Sequence, residues 1–143
     1  MGCAQVKTTP SGGLANSTTN QLQIKCVLLG DANVGKSSIT GRYMRNQFTE
    51  TYDVTFGGVY NKKEVTLRSG EKAFIHIWDT GGEERYRAMA PLYYRDASLA
   101  LLVCSVESKA SLENLRYWME ELEDKRTKEA LIVIVAANKC DLQ

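Results

Sequence analysis

Two unbroken apolar runs, "LALLVCSV" at 99–106 and "ALIVIVAA" at 130–137, constrain this chain more than any other feature. A strand with one face in water alternates apolar and polar residues. A run without alternation belongs to a strand covered on both faces, as in a parallel sheet packed between helices. Neither run approaches the roughly 20 residues that span a bilayer. Between them Leu112, Leu115, Trp118 and Leu122 fall at near-helical spacing. Upstream, "IKCVLLG" at 24–30 is a further apolar run that ends in glycine, and a helix-like stretch from Lys36 to Arg45 follows it. Residues 58–79 alternate with period two about a turn at Arg68, Ser69 and Gly70, which predicts a hairpin. The succession predicts an α/β fold with right-handed crossovers and helices on both sides of a mostly parallel sheet.

Residues 8–21, "TTPSGGLANSTTNQ", offer little to bury. Residues 1–21 are therefore expected to be a flexible tail, and residues 22–143 the folded domain. With 43% apolar and 24% charged residues, the 143-residue composition suits a single globular domain. The formal net charge of +1 provides no electrostatic case for nucleic acid or an anionic membrane surface. Cys3, Cys26, Cys104 and Cys140 lie far apart, and two sit in apolar runs, which favours reduced cytosolic thiols over a disulfide or zinc framework.

The strongest chemical signal is "GDANVGKSS", comprising Gly30, Asp31, Ala32, Asn33, Val34, Gly35, Lys36, Ser37 and Ser38. It fits G-x-x-x-x-G-K-[ST] between a buried strand and a helix. Consecutive backbone N–H groups there can wrap phosphate oxygens, Lys36 can reach the terminal phosphates, and the Ser37 hydroxyl can ligate Mg²⁺. A chance match is the plain alternative, and the strand-to-helix context weighs against it. The motif specifies phosphate without specifying the nucleotide.

A second signal, "NKCD" at 138–141, follows the apolar run 130–137, at the strand end where open α/β sheets place ligands. The Asp141 carboxylate only accepts hydrogen bonds, and guanine presents two adjacent donors, N1–H and its amino group. Adenine has an acceptor at N1, so the pairing would fail. Lys139 can lay its methylenes along the base, and Asn138 can tie the base edge to the phosphate loop. Alone, such a string is common in loops; after a phosphate loop it favours guanine.

Taken in order, "GDANVGKS", Thr55, "WDTGGEE" and "NKCD" resemble the small GTPases of the Ras superfamily, and "FGGVY" at 56–60 with "AMAPLYYRDA" at 88–97 resembles the Rab branch, its endosomal members in particular. The likeness covers residues 22–143. It implies the three-layer P-loop NTPase fold of small G proteins, with GTP or GDP and Mg²⁺ as ligands. By resemblance, Asp79 would hold Mg²⁺ through a water, and Thr55 would ligate it directly when GTP is bound. Gly82 would offer its N–H to the γ-phosphate, Phe48 would stack edgewise on guanine, and Tyr52 would lie over the phosphates. Lys36, Gly82 and Glu83 make up the implied catalytic set. Tyr60, Trp78 and Tyr93 occupy the positions through which Rab proteins present their nucleotide state to effectors. Segments 47–58 and 80–95 would order on γ-phosphate and Mg²⁺. The resemblance further implies a monomer that works with effectors, an exchange factor and a GTPase-activating protein on the cytosolic face of endosomal membranes. Trp78 and Tyr93 could equally be core or rim aromatics. His76 reads as structural, and "MEELEDK" as a solvated helix face.

Departures from the family pattern carry their own expectations. Glu83 stands where the family has a glutamine that orients the attacking water. A carboxylate cannot donate toward the transition state and adds charge beside the phosphoryl group, so intrinsic hydrolysis is expected to be slow. A GTP-binding scaffold with negligible hydrolysis is the alternative, and a P-loop ATPase or kinase a third that Asp141 disfavours. Gly81 replaces the usual alanine, which is expected to loosen its segment, and Ala32 replaces a frequent glycine, so an incoming partner arginine would meet a β-carbon. The chain stops at Gln143, directly after the guanine motif, so the domain is expected to be incomplete at its carboxyl end, lacking the last strand, base loop and helix. "MGCAQVK" resembles dually acylated amino termini, with myristoyl on Gly2 and palmitoyl on Cys3 giving two membrane signals, although Val6 sits where Ser or Thr is preferred.

Overall fold

β1 (Leu22–Leu29) runs through the middle of the sheet, and its last four residues, Cys26 to Leu29, are all buried. In the computed structural model, which describes residues 21–49, 53–125 and 131–142, β1 leads through a loop into α1 (Lys36–Arg45). The hairpin follows as β2 (Gly58–Thr66) and β3 (Lys72–Thr80), then the short helices α2 (Glu84–Arg87) and α3 (Ala90–Tyr94). β4 (Leu99–Ser105), α4 (Lys109–Glu113), α5 (Leu115–Lys125), β5 (Ile132–Asn138) and a 3-10 turn at Cys140–Leu142 complete the described chain. The strand order is β2-β3-β1-β4-β5, antiparallel between β2 and β3 and parallel elsewhere. The expected α/β class, the hairpin and the turn before Glu71 are all present.

Each face of the sheet has its own core. Val27, Leu29, Ala100, Leu102 and Cys104 pack with Ala90, Tyr94, Leu115, Trp118 and Leu122 from the helices on one side. Cys26, Leu28 and Ile77 pack with Ile39 and Met44 of α1 on the other. At about 25 cal/mol per Å², each fully buried leucine or valine contributes roughly 1.5–3 kcal/mol to this arrangement. Cys26 and Cys104 are buried free thiols and Cys140 is an exposed one, as expected of reduced cysteines.

Three expectations need correction. The apolar run 130–137 predicts a strand covered on both faces, yet Ile132, Val133, Ile134 and Val135 are 62%, 40%, 48% and 51% exposed. β5 is an edge strand, and no described helix covers it extensively. Leu112 does not belong to the helical stripe: it is exposed, and Ser111 takes the buried position in line with Leu115, Trp118 and Leu122. The acidic helix face is not wholly solvated, since Glu121 accepts a 2.9 Å hydrogen bond from the buried Tyr94 hydroxyl. The tail at 1–20, with Gly2 and Cys3, and Tyr52 lie outside the described residues. No described helix is long and apolar enough to cross a membrane.

Candidate nucleotide site

The loop between β1 and α1 is shaped by residues that tolerate left-handed backbone. Gly30 and Gly35 have φ of 143° and 97°, and a β-carbon on Gly30 would strike the Val103 carbonyl of β4. Asn33 is left-handed as well, at φ 60°. Val34, fully buried between them, pins the loop to the core. Helix α1 therefore begins with its free N–H groups turned into the loop, the arrangement that binds anions.

Lys36 lies inside this loop, only 5% exposed, and donates to the carbonyls of Gly30 at 2.8 Å and Asp31 at 2.6 Å. Burial pushes its ammonium down to about 8, against the raising influence of the Asp79 and Asp31 carboxylates. Asp79 closes the other side. It ends β3 opposite Leu28 of β1, and burial raises its carboxyl, while a hydrogen bond from Ser37 and the charge of Lys36 oppose the rise. Thr80 fixes that strand end by donating to the Leu28 carbonyl at 2.6 Å.

Ser37 Oγ and Thr55 Oγ1 are 3.0 Å apart, so the three residues implied as metal ligands converge from α1, the loop before β2, and the end of β3. Asp79 Oδ1 is buried without a hydrogen-bond partner. A buried orphan acceptor beside two hydroxyls is a set of hard oxygen donors that fits Mg²⁺. Among the described residues no group of three His, Cys, Asp or Glu converges elsewhere on a metal.

Asn138 donates to the Val34 carbonyl at 2.8 Å and so ties the guanine motif to the phosphate loop, as its sequence reading expects. Lys139 adopts φ 63° and pairs with Glu107 at 3.5 Å. Asp141 is exposed in the 3-10 turn, Phe48 is exposed in the segment after α1, and Ser38 is half-buried on α1. Gly82 lies so close to the loop that a β-carbon there would collide with the Asp31 carbonyl and Ala32 nitrogen. Ala32 is exposed at the loop tip. Glu83 does not stand free: its carboxylate pairs with Arg85 Nε at 2.5 Å. A cavity of about 460 Å³ opens against the outer side of the loop, lined by Asp31, Gly82, Arg87, Ser105 and Lys139 among others. None of Ser37, Thr55 or Asp79 lines it, so it is distinct from the metal pocket.

Tyr60, Trp78 and Tyr93 come together as expected, with ring centroids 5.2 Å apart for the first pair and 5.6 Å for the second. Gly81 departs from expectation. Its N–H donates to the Gly57 carbonyl at 2.7 Å, and a β-carbon would lie 2.6 Å from the Thr55 carbonyl oxygen. The missing methyl lets the loop before β2 and the turn after β3 pack closely.

Asp31 does more than line the loop. Its carboxylate accepts from Arg87 at 3.3 Å and Asn114 at 2.7 Å, and Arg87 also sits 5.1 Å from the Tyr117 ring. The loop is thereby joined to α2 and to the junction of α4 and α5. Sequence reasoning missed this cluster, and single polar residues 56 and 83 positions apart carry no pattern that could reveal it.

Comparison with known proteins agrees with this geometry. Residues 25–143 match the Ras family. Ras-related protein Rab-5B of Plasmodium falciparum (isolate 3D7) is 43% identical over 120 residues, 84% of this chain and 58% of the relative. GTP-binding protein YPT52 of Saccharomyces cerevisiae is 39% identical over 128 residues, 85% of this chain and 55% of the relative. Ras-related protein Rab5 of Nicotiana tabacum is 38% identical over 130 residues, 91% of this chain and 64% of the relative. The chain thus spans less than two thirds of the length of these curated relatives.

Proposed function

Because the chain belongs to the Ras family, we propose that it is a Rab-type switch that binds GTP and GDP with Mg²⁺ and acts in endosomal trafficking through partners that recognise its GTP-bound form. The observation that carries this reading is the convergence of Ser37, Thr55 and Asp79 beside the buried Lys36, on a loop tied to Asn138. The names of the relatives, Rab-5B and Rab5, support the branch and the endosomal assignment.

The chain's own groups suggest how it works. Backbone N–H groups of the loop and Lys36 hold the phosphates. Ser37, Thr55 and Asp79 would hold Mg²⁺, which would supply positive charge against the phosphate oxygens. Asp141 and Lys139 take the guanine. The γ-phosphate draws on Thr55 and Gly82, ordering the segments that bear Tyr60 and Tyr93, so the aromatic face reports which nucleotide is bound. The exchange factor and the GTPase-activating protein set the two rates of the cycle. Glu83 slows hydrolysis, and its pairing with Arg85 favours this slow-turnover reading, since the carboxylate already has a partner. Losing a glutamine-type contact corresponds to on the order of a hundredfold in rate, or a few kcal/mol. Myristoyl on Gly2 and palmitoyl on Cys3 would supply membrane attachment.

The test is nucleotide competition followed by single-turnover hydrolysis. GTP and GDP should displace a fluorescent guanine nucleotide in the presence of Mg²⁺, and ATP should not. Displacement by ATP, or no uptake at all, would overturn the reading. Glu83→Gln should hydrolyse GTP about a hundredfold faster; equal rates would remove the penalty assigned to Glu83. Intact-mass analysis of protein from its own cells decides whether Gly2 and Cys3 carry acyl chains.

A further inference from the structure

His76 is the single histidine of the sequence, and it sits on β3 between Phe74 and Trp78. Its Nδ1 is 2.7 Å from the Tyr60 hydroxyl and its Nε2 is 2.6 Å from Gln23 Oε1. The directions of these bonds can be worked out. Gln23 spends its amide nitrogen donating to the Gln21 carbonyl at 3.1 Å, which leaves its oxygen facing the ring. An amide oxygen only accepts, so Nε2 carries the proton. Neutral imidazole then has a bare Nδ1, and the Tyr60 hydroxyl donates to it. The chain of donors therefore runs one way, from Tyr60 through His76 and Gln23 to the backbone. Tyr60 stacks on the imidazole at 5.9 Å and 26°, stands 5.2 Å from Trp78, and remains 47% exposed.

Charge around the ring is positive. Lys62 of β2 and Lys25 of β1 are its partners in the two strand registers. Lys62 lies 3.9 Å over Phe74, and Lys25 donates to the Arg95 carbonyl and lies 5.8 Å from the Trp78 ring. Glu64, the carboxylate of β2 on this face, is held by Lys72 at 2.7 Å.

We propose, on the partner-facing role given to Tyr60 above, that His76 is a positioning residue for that face: it fixes the Tyr60 hydroxyl proton inward, so the partner meets a bare phenol oxygen and supplies an uncharged N–H donor to it. The lysines on either side disfavour a cationic donor, so an amide N–H from backbone, Asn or Gln fits best. Protonation of His76 reverses the polarity. A proton on Nδ1 obliges the Tyr60 oxygen to accept, the phenolic proton then points outward, and the partner's N–H faces another donor. Partner affinity falls as the imidazole takes up its proton.

Two measurements test this. The first is ¹⁵N–¹H correlation of the imidazole ring, unambiguous with one histidine and independent of nucleotide. A single Nε2–H form is expected, with its proton protected from water exchange in wild type and unprotected in Gln23→Ala. In Tyr60→Phe the Nδ1 signal should move toward that of an unbonded ring nitrogen. Equal populations of both tautomers, or no response to either substitution, would refute the relay. The second uses a peptide selected from a random library at pH 8 on protein loaded with a non-hydrolysable GTP analogue. Wild type should lose about tenfold in affinity for it between pH 8 and 5.5. His76→Asn keeps an acceptor for Tyr60 but cannot be protonated, so it should bind with a flat profile, and His76→Phe should bind weakly throughout. A flat wild-type profile, or the same slope in His76→Asn, would overturn the positioning role. Failure to load any guanine nucleotide would instead sink the proposed function while leaving the ring measurement decisive for the relay.

Discussion

Gly81→Ala tests how closely the loop before β2 and the turn after β3 are joined. Gly81 has an ordinary, non-positive φ, so alanine suffers no backbone strain there and its effect reduces to one methyl group. That methyl would sit 2.6 Å from the Thr55 carbonyl oxygen, about 0.8 Å inside the 3.4 Å at which ordinary contact begins, and 2.9 Å from Tyr86 Cδ2. Tyr86 can turn aside; Thr55 gives way only by moving main chain. Overpacking of this kind costs roughly 1–3 kcal/mol, and the reduced freedom of the unfolded alanine chain offsets about 0.4–1 kcal/mol of it. A net loss of about 0.5–2 kcal/mol corresponds to a fall in Tm of about 2–7 °C for a domain of this size. Thr55 also carries the hydroxyl 3.0 Å from Ser37. Displacing it should speed Mg²⁺ release from protein loaded with a GTP analogue by about fivefold, the equivalent of one hydrogen bond. Thermal unfolding and a chelator chase measure the two effects. A Tm at or above wild type together with unchanged Mg²⁺ release would refute the reasoning.

Three further perturbations have defined outcomes. Asn138→Ala removes the bond to the Val34 carbonyl and should cost about 1 kcal/mol by urea unfolding, with faster release of guanine nucleotide in stopped flow. Asp141→Asn replaces one acceptor proposed to face guanine by a donor; GTP affinity should fall about a hundredfold by competition, more than the affinity for a nucleotide with a hydrogen-bond acceptor at that edge. Burial pushes the Cys26 thiol up to about 11 from an unfolded value of 9.0, so the folded chain keeps a proton that the unfolded chain loses between those values. That contribution is fully present below pH 9 and is lost as pH rises through 11. Wild type should therefore lose about 2–3 kcal/mol relative to Cys26→Ala across this interval in denaturant titrations at each pH.

The fold was legible wherever local pattern and burial coincide. α1 forms over Lys36–Arg45 as its spacing indicates, and β4 is buried at five of its seven positions because helices cover one face and α1 flanks the other. The same apolar signal misled at β5, since a sequence run reports what a strand is suited to bury and not which neighbours are present to cover it. Leu112 failed for a local reason: Ser111, Leu115, Trp118 and Leu122 already form the buried stripe at helical spacing, and Leu112 falls beside it. In the site, Lys36, Ser37 and Asn138 were readable because phosphate and base chemistry fix their spacing along the chain. Arg87 on Asp31 and Gln23 on His76 were not. Such pairs depend on where side chains of unrelated segments meet, and one sequence contains no record of that.

β5 has a practical consequence for the isolated chain. Among the described residues no strand pairs with its outer rim, and Ile132, Val133, Ile134 and Val135 are exposed along it, a combination that lets one molecule act as a template for the next. A sequence pI of 7.6 leaves almost no mutual repulsion at neutral pH. A lysine at Ile134, half exposed on this strand, should then raise the soluble concentration of this chain in light scattering without disturbing the nucleotide loop.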